Sequence, residues 1–77
     1  GITESPDDMF GKLMSISDEL MWKYYEVLSN KTLEEIDELN KSVQNGSLHP
    51  KVAKEMLAIE IITRYHNKEK AYSAKAE

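Results

Sequence analysis

Cysteine is absent from this 77-residue chain. No disulfide and no thiolate metal site can form, and a reducing cytoplasm suits the composition. Glycine occurs only at Gly1, Gly11 and Gly46, which leaves no glycine-rich loop to cradle a phosphate. Proline occurs only as Pro6 and Pro50. No apolar run approaches the ~20 residues of a membrane span, and no signal-peptide pattern is present. Period-2 alternation of useful length is missing too, so strands are not expected. The two histidines, His49 and His66, lie 17 positions apart without an HExxH-type partner, so metal ligation is not expected. No nucleophile–base set stands out, and clustered carboxylates such as Glu34, Glu35, Asp37 and Glu38 read as a solvated face. Neither catalysis nor a cofactor is expected of this chain alone.

What the chain does have is charge, unevenly divided. Its formal net charge is −4. Residues 1–40 carry 3 basic and 10 acidic side chains, whereas residues 41–77 carry 7 basic and 4 acidic ones. A phosphate backbone, if one is met, is met by the second half. Ordinary solvated helix faces account for the same distribution.

Every long segment reads as helix. Ser5-Pro6-Asp7-Asp8 is a start signal: a capping serine, a proline suited to the first helical position and two aspartates at the positive helix end. Met9, Phe10, Leu13 and Met14 are its apolar residues. Ser17 caps a second helix with Asp18 and Glu19 in its first turn. Leu20, Met21, Tyr24, Val27 and Leu28 are expected to form its buried stripe, with Trp22 and Tyr25 on the flanks. Thr32 and Glu35 form a capping box for a third helix, along which Leu33, Ile36, Leu39 and Val43 repeat. Gly46 reads as a left-handed cap after it. A fourth helix begins at Pro50 with a stripe too wide for one wet face, so it is expected to be central and contacted from at least two sides. Asn67 is expected to interrupt it, leaving residues 68–75 as a short polar helix whose apolar residues are Ala71, Tyr72 and Ala74.

The expectation is one small all-α domain over residues 1–77, an antiparallel bundle of four helices plus a short polar C-terminal helix. A chain this short buries only ~60% of its unfolded surface, so its stability is marginal without regular packing or a neighbour. Helix-turn-helix DNA binding is disfavoured, because the third helix opens Thr-Leu-Glu-Glu, a start that repels phosphate. Met9, Phe10, Met14, Met21, Trp22 and Tyr24 either fill the core or form a docking face for a protein neighbour. On residues alone the chain is a helical interaction module.

The words themselves add more. "GITESPDDMFGKLMSISDELMWKYYEVLS" closely resembles the stretch that follows the Lys-Met-Ser-Lys-Ser loop of bacterial tyrosyl-tRNA synthetases. There a Gly-Ile/Leu-Thr-Glu-x-Pro run precedes a Met-Phe-x-Lys-Leu/Val-Met helix, then a Pro/Ser-Asp pair and an aromatic-bearing helix. "GSLHPKVAKEMLAIEIITRYHNKEKAYSAKAE" is similar to the later His-Pro helix of that family. The resemblance implies an internal piece of a ligase, the α-helical anticodon-binding segment, lying between the catalytic domain and an S4-like RNA-binding domain. ATP and tyrosine would bind upstream, in the parent enzyme. The implied partners are tRNA(Tyr) and the parent's other domains, in a homodimeric parent.

The resemblance also bears on Asp18, whose counterpart in that family is implicated in reading the first anticodon base. A carboxylate suits guanine, since it accepts from N1–H and the exocyclic amine, and single-stranded bases are read on those edges. Ser17 stands where many relatives have proline. Complementing the helix dipole is the plainer role for Asp18. Lys12, Lys23, Lys51, Lys54, Arg64 and Lys68 are the candidate phosphate contacts, and Trp22 or Tyr25 could stack on a base.

Overall fold

The computed structural model describes residues 5–76, with side chains through Lys68. Four helices follow in order: α1 (Pro6–Met14), α2 (Asp18–Leu28), α3 (Leu33–Gln44) and α4 (Pro50–Ala76). Among the described residues there is no strand. The chain is the small all-α bundle that its spacing predicts.

Each helix start is built from the residues that mark it. Ser5 Oγ accepts a hydrogen bond from the Asp8 amide at 3.2 Å, with Pro6 in the first helical position. Ser17 Oγ accepts from the Leu20 amide at 3.1 Å. In the capping box the Glu35 amide donates to Thr32 Oγ1 at 3.1 Å, and the Thr32 amide donates to the Glu35 carboxylate at 2.9 Å. Such bonds pair amides that a first turn leaves open, at about 1 kcal/mol per cap. They also hold the Glu35 carboxyl below its ordinary range, the backbone amide of Thr32 first and its hydroxyl second. At the start of α4, His49 Nδ1 accepts from the Lys51 amide at 3.0 Å. Gly46 follows α3 with φ +84°, a conformation that costs glycine least.

The core forms where α2, α3 and α4 meet. Met21, Tyr25, Ile36, Ala53 and Leu57 are its buried members, with Ile16, Trp22, Tyr24, Leu39, Val43, Leu48 and Ile61 packed around them. Full burial of a side chain such as Leu57 is worth ~1.5–3 kcal/mol. As expected, α4 is central: it packs against α1, α2 and α3. Its direction matches that of α2, since Asp18 meets Lys54 at one end and Leu28 meets Arg64 at the other.

Three expectations change. Tyr25 is a core residue, not a flank. Its ring stacks on Trp22 with centroids 5.5 Å apart, and its hydroxyl donates to the Ala53 carbonyl at 2.6 Å. The small Ala53 leaves room for the ring, and the carbonyl satisfies the buried hydroxyl. With α2 turned to bury Met21 and Tyr25, Val27 is left 78% exposed and Leu28 is exposed as well. Leu33, expected on the inner face of α3, is 72% exposed. Finally, Asn67 does not interrupt α4, which continues as one helix to Ala76. Asparagine is only a mild helix disfavourer, and no glycine or proline follows it to enforce a stop. The polar segment is therefore the last turns of α4. The side chains of Ala71, Tyr72 and Ala74 lie outside the described residues.

Of the six side chains that either fill the core or form a docking face, Met21 is fully buried, Met9, Met14, Trp22 and Tyr24 are half-buried, and Phe10 is exposed at 37%. A clearer apolar stripe lies on α4, where Val52, Met56 and Ile59 are all exposed at a spacing of four and three.

Candidate nucleic-acid interface

Two of the sequence candidates are brought together. Asp18 is the first residue of α2, placed there by the Ser17 cap. Its Oδ1 lies 3.1 Å from Lys54 Nζ. The Lys54 side chain is only 16% exposed, whereas that of Asp18 is 57% exposed. The lysine is thus held against the bundle while the carboxylate reaches outward. Lysine buries its methylene stem readily when its ammonium has a partner at the rim. The pair fixes one edge of the carboxylate and leaves the rest exposed.

Arg64 has an anchoring role at the other end of α2. Its Nη1 donates to the Leu28 carbonyl, one of the acceptors that a helix C-terminus leaves unpaired. One turn earlier on α4, Glu60 holds the same turn. Its two carboxylate oxygens accept from the Ser29 hydroxyl at 2.9 Å and the Asn30 amide at 2.7 Å. Ser29 Oγ in turn accepts from the Lys31 amide at 3.0 Å. Sequence reasoning missed Glu60. Its partners lie 31 and 30 positions away, so no local spacing signals the contact.

Beside this anchored turn runs an open groove of about 340 Å³, lined by Val27, Leu28, Ile61, Arg64, Tyr65 and Lys68. Two of the candidate cations therefore share one concave surface. Of the other four, Lys54 pairs with Asp18, and Lys12 on α1, Lys23 on α2 and Lys51 on α4 are exposed but do not line the groove. Trp22 is half-buried and Tyr25 fully buried, so the two proposed stacking rings belong chiefly to the core. Burial, and secondarily the Glu60 carboxylate, push the Tyr25 phenol up to about 12.

The acidic residues Glu34, Glu35, Asp37 and Glu38 are all exposed on α3. Asp37 pairs with Lys41 at 3.0 Å. Among the described residues, no three His, Asp or Glu side chains are grouped to hold a metal ion. No described helix is long and apolar enough to cross a membrane.

The profile of the family described as tRNA synthetases class I (W and Y) matches residues 1–77. The chain belongs to this family. The tyrosine–tRNA ligase of Sulfurimonas denitrificans is 58% identical over 77 residues, 100% of this chain and 19% of the relative. That of Campylobacter jejuni subsp. jejuni serotype O:2 is 57% identical over the same shares. That of Oleidesulfovibrio alaskensis is 60% identical over 75 residues, 97% of this chain and 19% of the relative. The chain thus spans about a fifth of the length of these curated relatives and is similar to a tyrosyl-tRNA synthetase segment.

Proposed function

We propose that this chain is the helical anticodon-region binding segment of a tyrosine–tRNA ligase, a part that positions tRNA(Tyr) and performs no chemistry itself. The observation that carries the reading is the match to tyrosine–tRNA ligases along the whole chain. In this reading ATP and tyrosine bind elsewhere in the ligase, a cytoplasmic homodimer with a catalytic and an S4-like domain. Asp18 accepts hydrogen bonds from a guanine-type anticodon base, and Lys54 fixes the carboxylate without touching RNA. Lys12, Lys23, Lys51, Arg64 and Lys68 supply positive charge toward phosphates. Holding the tRNA matters because a ~1 Å misplacement of reacting groups can cost ~100-fold in rate.

A second reading, a bundle that docks on another protein, draws on the exposed stripe of Val52, Met56 and Ile59. Titration of the chain with tRNA(Tyr) at two salt concentrations separates the two. The first reading expects weak binding that falls steeply with salt, because phosphate contacts release counterions. Absent tRNA binding together with a tight protein partner supports the second.

A further inference from the structure

We propose that the groove between the end of α2 and the middle of α4 is a nucleotide subsite, in which one unpaired nucleotide of the bound RNA lays its base on Leu28, Ile61 and Tyr65 and its phosphate at Lys68. The proposal rests on the tRNA-binding reading and goes beyond it, since it names a second contact surface at the end of α2 remote from Asp18.

Three observations carry it. The first is size: about 340 Å³ falls within the ~300–1,000 Å³ of small-ligand sites. The second is the division of chemistry along the lining. Val27, Leu28, Ile61 and Tyr65 offer an apolar and aromatic surface, and Arg64 and Lys68 offer charge. A nucleotide is divided in the same way, into a flat base with a π-face and an anion beside it. The third is charge complementarity. Among the described residues no carboxylate lines the groove, and the nearby Glu60 is turned away to Ser29 and Asn30. Arg64 spends one nitrogen on the Leu28 carbonyl and keeps its other N–H groups. That bond also holds the guanidinium at the groove edge before any ligand arrives. Val27 is 78% exposed here on a helix whose core face lies elsewhere, so a residue can be exchanged at this position without disturbing the packing.

The test uses the full-length ligase that contains this chain and a tRNA(Tyr) transcript. A photo-crosslinking residue is placed at position 27, and separately at position 38 on the acidic face of α3 as a control. Crosslinking to RNA at 27 and not at 38 is expected. Val27→Glu is expected to raise the Kd for tRNA about fivefold at low salt, the effect of one repelling charge near a phosphate, whereas Val27→Lys leaves it equal or lower. Lys68→Ala is expected to reduce the salt slope of binding by about 1. A crosslink from 27 to another part of the ligase overturns the proposal and makes the groove a protein contact. Equal Kd values for the Glu and Lys variants overturn it as well. No crosslink at 27, while Asp18→Asn still lowers charging, removes the groove and leaves the tRNA-binding reading standing. If neither site responds, both fail.

Discussion

The two ends of α2 are tied to the same helix by opposite means. At the start, α4 supplies a lysine: Lys54 is nearly buried, and the acidic partner Asp18 points outward. At the finish, α4 supplies both a carboxylate and a guanidinium. Glu60 gathers the Ser29 hydroxyl and the Asn30 amide, and Arg64 takes the Leu28 carbonyl. One end therefore presents a held carboxylate, and the other a groove with cations on its rim. Polar groups that look alike in sequence divide into those that fix α2 and those left exposed. Burial and partners make the division, not residue type.

The comparison can be broken most severely from between the two ends. Leu57, fully buried in the core beside Met21 and Tyr25, holds α4 against α2. Leu57→Ala is expected to cost ~2–5 kcal/mol, enough to unfold much of so small a bundle and to loosen both ends, as urea unfolding would measure. Glu60→Ala should loosen only the far end. It removes two hydrogen bonds to a charged acceptor, for about 2 kcal/mol, and should speed hydrogen exchange at Asn30 while leaving Leu20 at the near end unchanged.

Tyr25→Phe is a smaller change, at about 1 kcal/mol for the lost bond to Ala53. It also carries a pH signature. The folded phenol titrates at about 12 and an unfolded tyrosine near 10. Below this window both states keep the proton. Within it the unfolded chain releases the proton first, so stability falls as pH rises. The Phe variant should lose that part of the alkaline decline, which thermal melts across the window would detect. Smallest is Lys54→Met, which keeps the buried stem and removes the ammonium. Its effect on stability is expected to stay within ~1 kcal/mol. A larger loss would mean that the near end is fixed by its charge pair and not by packing.

Much of this was readable from the residues because local rules decide helix boundaries. Ser5, Ser17, Thr32 with Glu35, and Gly46 all do in the structure what their types predict, since caps depend on neighbours three residues away. Rotation of a helix about its axis depends on distant partners and was less legible. Tyr25 belongs inside because a carbonyl 28 positions on accepts its hydroxyl and a small Ala53 makes room, neither of which a helical spacing reveals. Val27, on the same helix, faces outward as the consequence. Asp18 and Lys54 were each visible as candidates, but their pairing spans two helices and emerges only once α2 and α4 lie side by side. Glu60 went unnoticed for the same reason: its partners are loop groups half the chain away.

The central claim is that this segment places tRNA and takes no part in amino-acid activation. Asp18→Asn in the full-length ligase tests it most directly, because the amide keeps the size of the side chain and loses the charge that a guanine edge requires. Two rates are measured on the same preparation, tyrosine-dependent ATP–pyrophosphate exchange and charging of tRNA(Tyr). Charging should drop about tenfold, the lower end of ~1–3 kcal/mol for a lost base contact, with exchange unchanged. Charging at the unaltered rate, or an equal fall in both rates, would contradict the account.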